Sequence, residues 1–152
     1  MSLSRVRPGT DRLVRMDATD RLDVIDTCTR MAWYADRRDW DRLTEVFADK
    51  VTLDYTSLNG GEPVTLTPAQ ITDGWRAGLG VYDATQHLVG NHLVTADGDS
   101  AVCTATFQAT HLKSDGSRWT LGGTYRFDLA RTGAGWRITG VVMTAVWSDG
   151  ER

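Results

Sequence analysis

Three histidines, His87, His92 and His111, are the only imidazole side chains in the chain of 152 residues. The dipeptide Asp97-Gly98 is a strong signal for a β-hairpin, which would pair the strand that carries His87 and His92 with the strand that carries His111. His87 and His111 then lie a few residues apart on neighbouring strands, within reach of one ligand. Because imidazole titrates near neutral pH, the pair is a candidate for acid–base chemistry, although a single histidine is more often structural.

The register of this hairpin decides which histidines face the interior. With a two-residue turn at that dipeptide, His87 lies opposite Gln108 and His111 lies opposite Ala84. His87 and His92 differ in strand parity, so at most one of them points inward unless a β-bulge intervenes. The face of His111 is predicted to line a cavity, because its other members are apolar or small: Ala105, Phe107 and Ala109.

Asp36 is the acid with the most informative position. It falls at the C-terminal end of the first predicted helix, where the helix dipole disfavours a carboxylate. A carboxylate that faces an apolar cavity has a raised pKa unless a cation such as a histidine lies beside it. An Asp–His pair in such a place is a general base, whereas an ion pair with Arg37 or Arg38, or a cap between helices, would make Asp36 structural.

Tyr34 and Tyr55 could add phenolic hydroxyls that polarise a substrate carbonyl, although packing at the sheet edge would explain them equally well. The sequence contains no GxSxG nucleophile motif, no phosphate-binding Walker loop, no GxGxxG before a helix and no HExxH motif. The spacing of the three histidines does not suit a metal site. The residues therefore favour acid–base chemistry without a metal ion.

Hydrophobic periodicity places helices in the first half of the chain. Asp17 and Asp20 mark a helix start, and the apolar residues behind them recur at spacings of three and four. This stripe is predicted to face the interior: Leu22, Ile25, Cys28, Met31, Ala32 and Ala35. We expect a short second helix in the segment DWDRLTEVF, a strand at residues 51–55, and a further helix that begins at Pro68.

From about residue 85 onward the pattern changes to alternation, which predicts four long strands in an antiparallel meander. The inward rows predicted for the last two strands are Trp119, Leu121, Gly123, Tyr125, Phe127 and Leu129, then Trp136, Ile138, Gly140, Val142, Thr144 and Val146. Gly122 and Gly123 inside a strand indicate a sharp bend. Helices followed by a bent antiparallel sheet predict an α+β fold that encloses one apolar pocket.

Composition limits the partners and the setting. The net charge of −3 gives no basic surface for nucleic acid. There is no secretory leader and no apolar run long enough to span a membrane, so we expect a cytoplasmic protein. Cys28 and Cys103 are expected to be buried free thiols. Residues 18–152 are predicted to form a single domain, and residues 1–17, which contain four arginines, to form a flexible arm.

Several stretches resemble a known family. The run YADRRDWDRLTEVFADKVTLDYTS and the later TQHLVGN and FQATHLK are similar to the scytalone dehydratase and SnoaL-like branch of the nuclear transport factor 2-like superfamily. The stretch LGGTY resembles its dehydrochlorinase members, and the resemblance covers residues 18–148. It implies a cone-shaped fold, in which N-terminal helices pack on a strongly curved antiparallel sheet that encloses a pocket. It also implies no metal, no organic cofactor, and a homo-oligomer that is a dimer or a trimer.

The resemblance assigns roles to four residues. Asp36 matches the pocket aspartate of the family, and Tyr55 matches a tyrosine that binds the substrate carbonyl. His87 and His111 match the two pocket histidines of scytalone dehydratase. The resemblance therefore places the acid–base groups in one pocket.

The chain departs from scytalone dehydratase at the residues that orient the substrate. Ala35 stands where that enzyme has a tyrosine, and Tyr34 is one residue further back. A serine and an asparagine of that enzyme align with Gly123 and Tyr125. The acid–base set is kept while the substrate-orienting set is changed, so the resemblance implies the reaction class more strongly than the substrate.

The expected function is a cofactor-independent dehydratase or lyase that acts on a hydrophobic cyclic carbonyl compound, such as a polyketide- or steroid-like ring. His111, oriented by Asp36, would take the proton alpha to the carbonyl, and His87 would assist the departure of the hydroxyl. Tyr55, together with Tyr34, would hydrogen-bond the enolate. An isomerase or polyketide cyclase that uses Asp36 as its base is one alternative. A non-catalytic protein that binds a small ligand, or a small subunit like those of ring-hydroxylating oxygenases, is the other.

Overall fold

The computed structural model describes residues 16–152, so the predicted arm of residues 1–17 lies outside the described residues except for its last two positions. Helices and strands alternate in the first half of this part, and strands alone make up the second. Their bounds are α1 Ala18–Arg37, α2 Trp40–Thr44, β1 Phe47–Asp54, α3 Thr56–Asn59, β2 Val64–Leu66, α4 Pro68–Leu79, β3 Ala84–Asp97, β4 Ser100–Leu112, β5 Arg118–Thr132 and β6 Gly135–Asp149. Within residues 16–152, no helix combines the length and the apolar character needed to cross a membrane.

Helix α1 begins where the Asp17 side chain accepts a hydrogen bond from the backbone N–H of Thr19 at 3.0 Å. It ends at Arg38, whose φ of 60° leaves the helical conformation. The buried face of α1 consists of Val24, Thr27, Cys28, Met31, Ala32 and Ala35. The prediction that Leu22 faces inward is wrong, because Leu22 lies about half a helical turn from Val24 and is 61% exposed.

The strands form one sheet in the order β2-β1-β6-β5-β4-β3. Strands β3 to β6 make the predicted antiparallel meander, and β1 lies parallel to β6 at its edge. Helix α1 packs on the inner face of the sheet against β3, β4 and β6, while α4 packs against β1. The predicted α+β fold, with N-terminal helices on a curved antiparallel sheet, is confirmed.

The hairpin between β3 and β4 differs from the predicted one at its turn. Asp97 pairs with Ser100, so the two-residue loop is Gly98-Asp99 rather than Asp97-Gly98. Gly98 has a φ of 60°, a conformation that glycine adopts without the strain that a β-carbon would cause. This change alone moves the register by two residues and leaves every side chain on its predicted face.

A β-bulge at Asn91, which has a φ of 55°, shifts the register of β3 by one residue in the opposite direction. His87 therefore lies opposite Ala109, and His111 lies opposite Thr85. The predicted partners, Gln108 and Ala84, are each wrong by one position. A shift of one residue changes the face on which a side chain lies, so the bulge brings His87 onto the same face as His111.

The same bulge settles the orientation of the remaining histidine. Before the bulge the more buried residues of β3 are Thr85, His87 and Val89, and after it they are His92, Val94 and Ala96. His87 and His92 therefore both point toward the interior, which was expected only if a bulge intervened.

Strand β6 also contains a bulge. Trp136 and Ile138 face the core as predicted, but a shift in register leaves Thr139 without a partner on β5. Beyond this point Gly140, Val141 and Met143 are buried. The inward orientation predicted for the alternate residues is wrong: Val142, Thr144 and Val146.

Candidate active site

A cavity of about 440 Å³ lies between the inner face of the sheet and helices α1, α3 and α4. Much of its wall is apolar and includes Met31, Ala35, Trp75, Phe107, Leu121 and Met143. Its polar groups include Tyr55, Asn59, Tyr82, His111, Tyr125 and Arg152. An apolar cavity with a few convergent polar groups is the usual form of a small-molecule site.

Asp36 forms a tightly hydrogen-bonded pair with His87. Its Oδ1 atom lies 2.7 Å from Nδ1 of His87, and its Oδ2 atom accepts the backbone N–H of His87 at 2.7 Å. The hydroxyl of Thr85 also donates to Oδ1 at 3.0 Å. The last turn of α1 thus places the Asp36 carboxylate beside the start of β3, where it accepts three hydrogen bonds.

These contacts fix the protonation of the pair. Burial raises the pKa of Asp36, but the hydrogen bonds and the charge of His87, with the Thr85 hydroxyl, bring that pKa below its usual value. Asp36 is therefore ionised at neutral pH. A carboxylate can only accept a hydrogen bond, so the Nδ1 atom of His87 carries the proton and Nε2 is left for chemistry.

The alternative partners of Asp36 are engaged elsewhere. The guanidinium of Arg37 stacks over the ring of Trp33 at 3.8 Å. Arg38 donates to the backbone carbonyl of Tyr82 at 3.4 Å. Neither arginine forms an ion pair with Asp36 within the described part of the chain, so the role of Asp36 is tied to His87.

His111 is buried and faces the cavity. Its Nδ1 atom lies 3.1 Å from the backbone carbonyl of Trp119, so Nδ1 carries a proton and Nε2 keeps its lone pair. Its ring stacks on the Trp119 indole at 4.3 Å and lies 4.8 Å from the ring of Tyr82. Burial lowers the pKa of His111 and outweighs the opposite effects of the Trp119 carbonyl and the Asp36 charge, while His87 and Arg152 lower it further. His111 is thus neutral at pH 7.

The partner of Asp36 differs from the expected one. Asp36 was expected to orient His111, but the histidine to which it is hydrogen-bonded is His87. The reason is the bulge in β3, which turns His87 inward beneath the end of α1, while His111 bonds to the neighbouring strand. The two imidazole rings still lie together, with centroids 6.2 Å apart and planes at 74°. His111 is on the wall of the cavity, whereas Asp36 and His87 lie behind it and border an outer groove beside Trp33.

Tyr55 and Tyr125 place two phenols on the cavity wall. Burial raises the pKa of both hydroxyls, and the two groups lie close enough to influence each other. Both therefore stay protonated and can donate hydrogen bonds to a ligand oxygen. Tyr34 packs against the core and, unlike Tyr55 and His111, is absent from the cavity wall among residues 16–152.

Three residues on the cavity wall were given no predicted function: Tyr125, Asn59 and Arg152. A signal for Tyr125 was present, because it belongs to the row of β5 that was predicted to face inward, and Tyr125 is buried. Arg152 follows the last strand, where no periodicity indicates its direction. Asn59 lies in the short helix α3, which the sequence analysis did not predict.

The remaining metal-binding and thiol residues form no second site in the described segment. Cys28 and Cys103 are both buried and free, as predicted. Between residues 16 and 152 no group of three or more His, Cys, Asp or Glu side chains is placed to hold a metal ion.

Comparison with known proteins gives a family match over most of the chain. The profile of the SnoaL-like domain matches residues 16–142. A protein from Kribbella flavida, Kfla4162, is 34% identical, with a TM-score of 0.83 over 88% of this chain and 95% of that one. No curated protein matches the sequence significantly.

Two structures from Novosphingobium aromaticivorans share the fold. A candidate aromatic ring hydroxylase is 26% identical, with a TM-score of 0.81 over 90% of this chain and 96% of that one. A candidate scytalone dehydratase is 12% identical, with a TM-score of 0.78 over 88% of this chain and 89% of that one. The second likeness concerns the fold alone.

Proposed function

The chain belongs to the family of SnoaL-like domains, within the nuclear transport factor 2-like superfamily, and on this premise we propose that it is a lyase that needs no cofactor. Its substrate would be a hydrophobic cyclic carbonyl compound that loses water. The observation that carries the proposal is the ionised Asp36 bonded to His87, beside a neutral His111 that faces an apolar cavity. One imidazole and two phenols on the cavity wall, with a carboxylate–imidazole pair behind them, are groups that such an elimination can use.

In the proposed reaction His111 takes the proton alpha to the carbonyl through Nε2, because Nδ1 is held by the Trp119 carbonyl. The electrons of the C–H bond move toward the carbonyl, and the enolate oxygen accepts hydrogen bonds from Tyr55 and Tyr125. The hydroxyl beta to the carbonyl then leaves as water with the proton that His111 has taken, and a carbon–carbon double bond forms. The charge of Asp36 favours the protonated form of His111.

The first experiment uses a panel of cyclic ketones that carry a hydroxyl beta to the carbonyl. Turnover is followed by the absorbance of the conjugated enone and by the loss of one water in the product mass. Asp36→Asn and His111→Ala should each lower kcat/KM by about 10²–10⁴-fold. Asp26→Asn is the matched control, because Asp26 is an exposed acid on the same helix whose nearest cation, Arg30, is 4.0 Å away.

The outcome that would overturn this proposal is equally specific. If Asp36→Asn and His111→Ala turned over a ketone of the panel at the wild-type rate, the assignment of the two side chains would be wrong. Circular dichroism and thermal melting of each variant separate loss of chemistry from loss of the fold.

The same groups would also support isomerisation or cyclisation, in which the abstracted proton returns to another carbon. The product mass would then equal the substrate mass, whereas dehydration gives a product lighter by one water. A non-catalytic carrier is less well supported, because such a role gives no reason for an ionised Asp36 to be buried against His87 beside the cavity.

We also propose that copies of this chain associate through the outer face of the sheet. Leu88, Val146 and Trp147 are 62%, 67% and 48% exposed and border one groove on that face. Light scattering after gel filtration should give a dimer or a trimer, and the pair Leu88→Glu and Val146→Glu should give a monomer. Leu22→Glu, at an equally exposed leucine on α1, should leave the mass unchanged. A monomeric wild-type protein would refute this assembly.

A further inference from the structure

Arg152 brings a cationic group to the wall of an otherwise apolar cavity. Its Nη1 atom donates to the Oδ1 atom of Asn59 at 2.8 Å, which holds the guanidinium against the short helix α3. The guanidinium carbon also lies 5.4 Å from the centre of the Trp119 ring. Two independent contacts, one with an amide and one with an aromatic ring, therefore position this side chain at the cavity.

The charge of Arg152 has no aspartate or glutamate partner within residues 16–152. No side-chain carboxylate of those residues approaches the guanidinium within 4.0 Å, and none of the cavity wall residues they contribute is an aspartate or a glutamate. A guanidinium carries five N–H donors in a planar fork, and a single hydrogen bond to Asn59 leaves most of them available. A carboxylate is the group that such a fork binds in a bidentate manner.

The position of this charge relative to His111 is also informative. Trp119 stacks on His111 at 4.3 Å and lies beside Arg152, so the imidazole and the guanidinium both lie against one indole. The two groups are close enough for the Arg152 charge to lower the pKa of His111. A ligand whose carboxylate is bound by Arg152 would therefore place its ring next to the imidazole of His111.

We propose that Arg152 and Asn59 form a subsite for a carboxylate, so that the cavity takes ring compounds that carry an acid group. The inference deepens the proposed function, since it names a substituent of the substrate, but binding alone is enough to test it. Trp119 contacts both Arg152 and His111 on the same cavity wall, and the apolar residues of the cavity accommodate the ring.

The test compares two probes of the same ring by isothermal titration calorimetry, 2-naphthoate and the neutral 2-naphthalenemethanol. A charge-assisted hydrogen bond favours the acid by about 1.5–3 kcal/mol, so the wild-type protein should bind 2-naphthoate at least about tenfold more tightly. Arg152→Gln should abolish this preference and leave the Kd of the alcohol within about twofold. Asn59→Ala should reduce the preference without abolishing it.

Two controls make the result decisive. Arg126→Gln removes an exposed arginine whose partner is Asp128, away from the cavity, and should keep the full preference for the acid. Asp36→Asn should keep it too, even though this variant loses turnover under the proposed function. Equal affinities of the wild-type protein for both probes, no binding of either, or a preference that survives Arg152→Gln would each overturn the subsite and leave the lyase proposal standing.

Discussion

The carboxylate of Asp36 accepts hydrogen bonds from both Nδ1 and the backbone N–H of His87, and each donor–acceptor distance is 2.7 Å. The side-chain bond sets the tautomer of the imidazole, while the backbone bond fixes the end of α1 over the start of β3. One acid therefore orients the imidazole of the proposed site and holds the end of the helix on which that acid lies. Variants of Asp36 should change catalysis and stability together.

Asp36→Asn should destabilise the protein in a pH-dependent way. Because the folded-state pKa of Asp36 is below its usual value of about 3.9, its ionised form stabilises the folded state. This stabilisation is present above that pH and is lost as the pH falls through the lower folded-state pKa. The difference between the unfolding free energies of wild type and Asp36→Asn should therefore be large at pH 6.5 and shrink toward pH 3, as measured by urea unfolding.

The control for this prediction is Asp26→Asn, an exposed carboxylate on the same helix. Its effect on the unfolding free energy should be small at every pH. A difference between wild type and Asp36→Asn that stayed constant or grew toward pH 3 would contradict the assigned ion pair.

The bulge at Asn91 should respond to backbone strain. Asn91 has a φ of 55°, and its side-chain amide donates to the hydroxyl of Thr106 at 2.9 Å. Asn91→Gly loses only the hydrogen bond, whereas Asn91→Val also forces a β-branched residue into a left-handed conformation, at a cost of about 1–3 kcal/mol. Denaturant unfolding should therefore rank the stabilities as wild type, then Asn91→Gly, then Asn91→Val.

The same bulge explains why the fold was more predictable than the site. The alternation of apolar and polar residues and the turn residues predict the β3–β6 meander, because a strand or a turn is encoded by residues that are adjacent in sequence. The face on which His87 lies depends instead on two features, the position of the turn and the extra residue of the bulge at Asn91. An error of one residue in either feature moves His87 to the opposite face of the sheet. The sequence carries no strong mark of the bulge, since asparagine occurs in many conformations.

The contacts between elements were the least predictable part of the site. Asp36 and the two histidines were identified from residue type and resemblance, but the choice of His87 over His111 depends on where α1 ends above the sheet. Arg152 reaches the cavity through a hydrogen bond to Asn59, 93 residues away in sequence. No local pattern encodes such a contact, because it is set by the packing of the whole chain.

The two glycines Gly123 and Gly74 should respond in opposite ways to replacement by alanine. A β-carbon on Gly123 would lie 1.9 Å from the backbone carbonyl oxygen of Thr144 and 3.1 Å from the ring of Phe107. Gly123→Ala should therefore move β5 away from β6 and destabilise the protein by several kcal/mol, on the order of 3. Gly74 lies inside α4 with no atom within 4 Å of a β-carbon, so Gly74→Ala should stabilise it by about 0.5–1 kcal/mol.

Thermal unfolding of the two variants measures both effects in one experiment. A rise in the melting temperature of Gly74→Ala with a fall for Gly123→Ala is expected. Equal melting temperatures would contradict the close approach of β5 and β6 at Gly123, where the register of these strands also shifts.

The titration of His111 should follow the charges that face it, which come from Asp36, His87 and Arg152. Burial gives its ring a pKa below the usual value of about 6.5, so the neutral base persists below that pH. Because a lowered folded-state pKa opposes protonation, stability should fall as the pH drops from 6.5 through that pKa.

Arg152→Gln removes one positive charge, so the pKa of the His111 ring should rise toward 6.5. Ring-proton NMR across pH 4–8 measures this shift without a substrate. Arg126→Gln should leave the titration unchanged, and a wild-type ring that titrated at or above 6.5 would contradict the neutral base.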